Sequence, residues 1–166
     1  LGTKKMNVWA KDAEFDVTLE AVTDGAPMPT VTSAKLTENE PDFEFDFSYT
    51  QDQIGTYVYQ VTETAGENSA ITYDPTVYTV TVVVGNSGTA VLDVDCTVTD
   101  QDGNPVNAAD LDFENTYTAK GETKVEGTKK MNVWAKDAEF DVTLEAVTPG
   151  APMPDITSAK LTESKP

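Results

Sequence analysis

The chain has 166 residues, with 29 acidic and 11 basic side chains and a formal net charge of −18. This charge repels nucleic acid and anionic membrane surfaces, so we expect neither as a partner. All basic residues are lysines, and without histidine or arginine the usual catalytic bases, zinc ligands and phosphate-binding forks are missing, so we expect no metal, no cofactor and no enzyme that turns over an external substrate.

Runs of alternating polar and apolar residues follow one another along the first part of the chain. In order they are FDVTLEAV at 15–22, FEFDFSY at 43–49, TYVYQVTE at 56–63, VYTVTVVV at 77–84, TAVLDVDCTV at 89–98 and LDFENTY at 111–117. A period of two is typical of half-buried strands, and turn residues such as DGAPMP and GNSG separate the runs. The pattern predicts an all-β fold, an immunoglobulin-like antiparallel β-sandwich.

The beginning of the chain is repeated near its end. Residues 2–41 recur at 127–166 with an offset of 125, and 35 of the 40 positions are identical. A period this long indicates whole domains in series rather than a solenoid. We therefore predict a complete sandwich repeat over 1–118, a linker over 119–126 and the truncated N-terminal part of a second repeat over 127–166. No signal peptide, sorting motif or membrane-spanning run is visible, so we expect an internal piece of a longer protein, with further repeats as neighbours.

Two polar residues fall on the apolar sides of predicted strands. Glu63 ends TYVYQVTE on the side of its two tyrosines, and Asn115 lies in LDFENTY on the side of the leucine and phenylalanine. Alternate residues of a strand point to the same face, so both side chains should face the core. A carboxylate is costly there, which suggests that it has a use.

A lysine near the N-terminus shares this core-facing parity. Met6 and Val8 form the apolar side of the first strand, which places Lys4 inward and Lys5 outward. In the second copy the equivalent residue is Lys129. Taken singly, a lysine or glutamate at a strand end is usually solvated, and a buried asparagine usually satisfies backbone groups. The coincidence of all three on core faces favours a shared site.

The order KKMNV, EFDVTLEAV, GTYVYQVTET, ITYDPTVYTVTVVV and FENTY resembles the repeats of Gram-positive pilins and cell-wall adhesins that form intramolecular Lys–Asn isopeptide bonds, as streptococcal pilins do. The resemblance covers essentially all of residues 2–118. It implies a structural stalk or pilus-like repeat at the cell surface or cell wall, outside the cell. It also implies a crosslink between the first-strand lysine and Asn115, with Glu63 as the catalytic acid. The resemblance does not separate Lys4 from Lys5, and parity selects Lys4.

The three side chains suit this chemistry. Burial in an apolar environment favours a neutral lysine amine, which is a nucleophile. A protonated Glu63 would donate a hydrogen bond to the side-chain carbonyl of Asn115 and make its carbon more electrophilic. Lys4 would add to that carbon, Glu63 would shuttle protons, and ammonia would leave. The reaction happens once per molecule, so the domain crosslinks itself and is not an enzyme.

Two other classes of function fit parts of the sequence. A ligand-binding adhesin module would use loops at one end of the sandwich, although the loops here are short and polar. A calcium site could use Asp100, Asp102 and Asn104 of DQDGN, which is also ordinary turn chemistry.

The second copy should expose an apolar side. An isolated strand pair is at best marginally stable in water. We therefore expect residues 127–166 to dock on a sheet edge or to replace the equivalent strands of a neighbouring chain, with Lys129 competing with Lys4 for Asn115. Its apolar side consists of Met131, Val133, Phe140, Val142 and Leu144.

Overall fold

The computed structural model describes all 166 residues and divides them into two compact units, residues 1–120 and 121–166, which are treated separately below. The chain forms no helix that is long and apolar enough to cross a membrane. Apart from one short 3-10 turn at Gln51–Gln53, its regular elements are all strands.

The first unit is a β-sandwich, which confirms the predicted fold. The smaller sheet has the strand order β4 (Asp42–Phe43), β1 (Gly2–Met6), β10 (Leu111–Tyr117) and β6 (Ile71–Thr72). The larger sheet has the order β3 (Ser33–Leu36), β2 (Phe15–Ala21), β5 (Gly55–Glu63), β7 (Val77–Gly85), β8 (Asp93–Thr99) and β9 (Pro105–Val106). Neighbouring strands are antiparallel, with one exception that alternation could not reveal: β1 and β10 run parallel.

The core lies between the two sheets and follows the alternation of the sequence. Strand β7 buries every second residue from Tyr78 to Val84. The Tyr78 ring meets the Phe113 ring of the opposite sheet edge-on, with centroids 5.2 Å apart, and its hydroxyl donates a hydrogen bond of 2.5 Å to the Asp112 carbonyl. Burying each such side chain stabilises the fold by about 1.5–3 kcal/mol. The packing of β7 on β10 therefore fixes the position of the strand that carries Asn115.

Part of the run FEFDFSY does not form the predicted strand. Only Asp42–Phe43 joins a sheet, by pairing with the first residues of β1. The residues that follow have no neighbouring strand, so they lack a ladder, but their burial still alternates. The prediction of strand was wrong beyond Phe43, whereas the prediction of alternating faces was right. The aromatic side chains of this segment pack on the core: Phe45, Phe47 and Tyr49.

Two further strands are shorter than the sequence predicted. Strand β1 ends at Met6, and Val8 is 57% exposed, so the inward side holds for Lys4 and Met6 but not for Val8. The run from residue 89 is a strand only from Asp93, and Val98 is its one buried residue. The residues of β8 from Asp93 to Thr97 are all exposed, so this part of the larger sheet is not covered.

The second unit contains one antiparallel pair, β11 (Phe140–Thr143) and β12 (Ser158–Leu161). Phe140 lies opposite Leu161, just as Phe15 lies opposite Leu36 in β2 and β3. The residues equivalent to β1 form no strand. Most of the predicted apolar side is exposed, namely Met131, Val133, Val142 and Leu144.

Candidate site of isopeptide bond formation

The parallel pairing of β1 and β10 brings the predicted lysine and asparagine close together. Lys4 lies opposite Phe113, and Met6 lies opposite Asn115. Side chains two residues apart on neighbouring strands remain within reach of a long side chain. Lys4 extends inward with its side chain fully buried, and its Nζ donates a 3.2 Å hydrogen bond to the Phe113 carbonyl. The amine lies 4.8 Å from the centroid of the Phe15 ring.

Glu63 reaches the same point from the opposite sheet. It is the last residue of β5, and its side chain is also fully buried. Its Oε2 lies 2.7 Å from Lys4 Nζ and has no other polar partner. Its Oε1 accepts a hydrogen bond of 2.6 Å from Asn115 Nδ2. One carboxyl group therefore bridges the amine and the side-chain amide.

Asn115 is completely buried, and both ends of its amide are engaged. Its Oδ1 accepts a 2.7 Å hydrogen bond from the backbone N–H of Asp74. A backbone N–H can only donate, so the atom facing it must be the oxygen, and the nitrogen must face Glu63. We expected Glu63 to contact the carbonyl oxygen. It contacts the amide nitrogen instead, because Asp74 occupies the oxygen.

Burial dominates the electrostatics of Lys4. Loss of solvent lowers the pKa of the Lys4 amine below its usual value, although the hydrogen bond and charge of Glu63 and the charges of Asp74 and Glu114 act in the opposite direction. A buried ion pair gains little over its desolvation cost. The neutral, nucleophilic amine is consequently more accessible here than in a solvated lysine.

The neighbouring lysine has a different environment. The side chain of Lys5 is 52% exposed, points away from the core and pairs with Asp112. This contact raises the pKa of Lys5, chiefly through the hydrogen bond to Asp112. The Lys5 amine therefore points away from the core that holds Asn115, and its raised pKa favours the unreactive ammonium.

Lys129 has part of the environment of Lys4. Its Nζ lies 4.7 Å from the centroid of the Phe140 ring, and its backbone N–H donates to the Pro166 carbonyl at 2.8 Å. Residues 127–166 include no counterpart of Glu63 or Asn115.

Sequence reasoning missed Asp74, which lies between β6 and β7. In addition to its backbone contact with Asn115, its Oδ1 accepts from the Thr76 N–H at 2.9 Å, and its Oδ2 accepts from the Glu114 N–H at 2.6 Å. The available signal was the Asp-Pro pair in ITYDPTVY, which marks a turn between two strands.

Asn7 is a second missed residue, and it continues the pairing of β1 beyond Met6. Its Nδ2 donates to the Tyr117 carbonyl at 3.0 Å, and its Oδ1 accepts from the Tyr117 N–H at 2.8 Å. The side chain thus imitates a backbone partner at the end of β10, next to the candidate site.

The acidic run DQDGN forms a turn that uses its own oxygens. Asp100 Oδ1 accepts from the N–H groups of Asp102 and Asn104 at 2.9 and 2.8 Å, and its Oδ2 accepts from Asn104 Nδ2 at 2.9 Å. Turn formation accounts for the spacing of these residues.

Residues 1–118 match the model of the FctA family, described as the Spy0128-like isopeptide containing domain. The chain belongs to this family. The solved structures to which this chain is similar are those of pilins, which are structural proteins rather than enzymes. The comparison with curated proteins gives no match.

Several solved structures to which this chain is similar are major pilins of Streptococcus pyogenes. An asparagine-to-alanine mutant is 23% identical with a TM-score of 0.52, and the alignment covers 70% of this chain and 48% of the pilin. The T-13 pilin is also 23% identical, with a TM-score of 0.50 and coverage of 70% and 50%. A glutamate-to-alanine mutant is 22% identical with a TM-score of 0.52 and coverage of 70% and 48%. This chain therefore spans about half the length of these pilins.

Proposed function

We propose that this domain forms a Lys4–Asn115 isopeptide bond without assistance and that the bond makes it a tension-resistant repeat of a surface stalk or pilus. The observation that carries the proposal is the bridging carboxyl of Glu63, with Oε2 2.7 Å from Lys4 Nζ and Oε1 2.6 Å from Asn115 Nδ2. The family and the full burial of these side chains support it.

The reaction begins with a proton transfer from the Lys4 ammonium to Glu63 Oε2. The neutral amine attacks Asn115 Cγ, which forms the new C–N bond and moves the carbonyl electron pair onto Oδ1. Glu63 gives its proton to Nδ2, the Cγ–Nδ2 bond breaks as the carbonyl reforms, and ammonia leaves. The new amide nitrogen then loses its excess proton to Glu63. The products are one amide, one ammonia and a protonated carboxyl group. The Lys4 ammonium and the Asn115 amide begin with five N–H protons and, together with the Glu63 carboxylate, zero net charge. The products hold the same five protons and the same net charge.

The position of the bond suits mechanical work. Lys4 lies in the first strand of the domain and Asn115 in the last. Tension that enters through β1 and leaves through β10 would pass through the covalent link, so the residues between need not unfold. Closing a loop of this size should stabilise the domain by about 4–5 kcal/mol on the chain-entropy model. An amide also persists under conditions that reduce disulfides.

The repeat suggests how such domains are arranged. Pilins are displayed on the surface of Gram-positive bacteria, and we assign this chain to a cell-wall-attached protein of that kind. In this arrangement 1–118 is one repeat, 119–126 is a linker, and residues from 127 onward begin the next repeat. The neighbouring repeats of the same polypeptide are the principal partners.

Exchange between chains is a second possibility that the duplication raises. Residues 127–166 keep the hairpin register of 2–41 and leave apolar side chains exposed, so the copy from one chain could replace the equivalent strands of another. Lys129 would then compete with Lys4 for Asn115, and the product would join two chains.

The mass of the intact folded protein tests the central proposal. We expect it to be lower than the sequence mass by one ammonia, and peptide mapping should recover the first and last strands as one branched peptide. An Asn115→Ala variant is the matched control and should have its full sequence mass. Free Lys4 and Asn115 side chains in the folded protein would contradict the proposal, and a branch at Lys5 would reassign the nucleophile.

A further inference from the structure

We propose that Asp74 is a positioning residue for this reaction: its side chain holds its own backbone N–H against Asn115 Oδ1, where the negative charge develops when Lys4 attacks. This inference rests on the proposed function. It assigns to the β6–β7 loop the role of an oxyanion-stabilising element.

Two hydrogen bonds that the Asp74 carboxylate accepts fix the Asp74 peptide. Oδ1 accepts from the Thr76 N–H at 2.9 Å and closes a turn over Pro75. Oδ2 accepts from the Glu114 N–H at 2.6 Å and ties the loop to the residue next to Asn115. The donor of the oxyanion contact is thereby fixed both to its own loop and to the strand that carries the reacting amide.

The third contact places a donor at the atom where charge develops. The Asp74 nitrogen lies 2.7 Å from the carbonyl oxygen Asn115 Oδ1, so the hydrogen bond is in place before the oxyanion forms. Before the attack it polarises the carbonyl and turns Nδ2 toward Glu63, so the leaving nitrogen faces its proton donor. Asn115 is fully buried, and an aligned donor is worth more in such a site than in water.

A carboxylate fits this position better than the amide of the same shape. It has two acceptor oxygens and satisfies both N–H groups, whereas an asparagine would have one acceptor and would direct an N–H₂ group at a backbone N–H. The charge of Asp74 has an opposite effect, because it raises the pKa of Lys4 and so favours the unreactive ammonium. Positioning and charge therefore predict opposite results for Asp74→Asn.

The experiment follows the loss of ammonia in folded protein by intact mass over time. The proteins are the full chain, Asp74→Ala, Asp74→Asn, and Thr76→Ala as a matched control, which keeps all three hydrogen bonds because Thr76 contributes only its backbone. Removing a single oxyanion donor typically slows a reaction by about 10²–10³-fold. Because the Asp74 variants keep the N–H but release it, we expect them to crosslink roughly 10- to 100-fold more slowly, with Thr76→Ala at the rate of the unmodified chain.

The pH dependence of the rate separates positioning from other roles. If Asp74 acts on the oxyanion, the deficit of both variants persists from neutral to alkaline pH, where Lys4 deprotonates without help. A deficit that disappears at alkaline pH, an Asp74→Asn variant that reacts faster than the unmodified chain, or rates equal to it would each overturn the assignment. Loss of folding in both variants, measured by near-ultraviolet circular dichroism, would reassign Asp74 to stability. If the unmodified chain itself keeps its full mass, the proposed function fails instead.

Discussion

Residues 2–41 and 127–166 have nearly the same sequence but different surroundings. Both form the same hairpin, with Phe15 opposite Leu36 in the first copy and Phe140 opposite Leu161 in the second. Their local hydrogen bonds also agree, since the N–H groups of Lys4 and Lys129 each donate at 2.8 Å to a proline carbonyl. The hairpin and its register are therefore encoded locally.

Burial and the first strand differ between the copies. Val17 is fully buried, whereas its equivalent Val142 is 51% exposed. Strand β1 is paired with β4 and β10 in the first unit, and the same sequence forms no strand in the second. The difference shows that residues 42–118 supply both the opposite sheet and the strand neighbours. The apolar face of the hairpin is buried only when these residues are present.

The candidate site likewise depends on partners that lie outside the repeated segment. Lys4 and Lys129 lie 4.8 and 4.7 Å from a phenylalanine ring, so this contact is local. Only Lys4 also meets the Glu63 carboxyl group, which in turn accepts a hydrogen bond from the Asn115 amide, because these two residues come from β5 and β10. The predictions below remove these partners one at a time.

Glu63→Ala should have the largest effect. It removes the proton shuttle, so the protein keeps its full sequence mass and loses the roughly 4–5 kcal/mol expected from the crosslink. It also leaves the buried Lys4 amine without its carboxyl partner, and breaking a buried pair costs about 3–5 kcal/mol. We expect a folded domain with a much lower melting temperature, measured by calorimetry. Loss of ammonia at the normal rate would remove Glu63 from the mechanism.

Asn115→Ala should have the next largest effect. It prevents the crosslink but keeps the ion pair of Lys4 and Glu63, so its loss of stability should be close to the crosslink contribution of roughly 4–5 kcal/mol, plus a smaller cost for the missing amide contacts. Chemical denaturation measures the difference. Lys5→Ala is the control and should keep both the crosslink and the stability. Equal stability of Asn115→Ala and the unmodified chain would show that no bond had been lost.

The pH dependence of the uncrosslinked domain reports the burial of Lys4. The folded-state pKa of Lys4 is lower than the unfolded value of 10.5, so between the two the unfolded state binds more protons and stability rises with pH. We expect the free energy of unfolding of Asn115→Ala, minus that of Lys4→Met/Asn115→Ala, to increase over this window. The subtraction cancels the opposite contribution of exposed lysines such as Lys5, whose pKa is raised. A flat difference would show that the environment of Lys4 leaves its pKa unshifted, and a falling difference would show that pairing with Glu63 outweighs burial; either result would contradict the expected lowering of the Lys4 pKa.

Exchange between chains should give the smallest signal, a minor crosslinked dimer. In Lys4→Ala the native nucleophile is absent, and Lys129 of another chain becomes the competitor for Asn115. Denaturing gel electrophoresis at high protein concentration should show the dimer, and Lys4→Ala/Lys129→Ala should abolish it. A monomer with full sequence mass in the single variant would show that Lys129 does not reach Asn115 of another chain.

The bounds of the longest strands could be predicted from the alternating runs of the sequence, whereas the shortest strands could not be predicted. TYVYQVTE and VYTVTVVV correspond to β5 and β7 almost residue for residue. Strands β6 and β9 have two residues each, too few for a period to be visible. The role of Asp74 was also hidden, because its contact with Asn115 comes from a backbone N–H that every residue but proline carries.

The sequence by itself determined which side chains of a strand share a face, because a strand alternates with a strict period of two. This was enough to direct Lys4, Glu63 and Asn115 into the core and to specify the hairpins. The tertiary structure alone decided that β1 lies parallel to β10 and that β5 ends opposite them. Alternation fixes a side chain relative to its own strand but carries no information about which strands are neighbours. The contact between Lys4 and the strand of Asn115 joins residues 109 positions apart, and only the packing of two complete sheets brings them together.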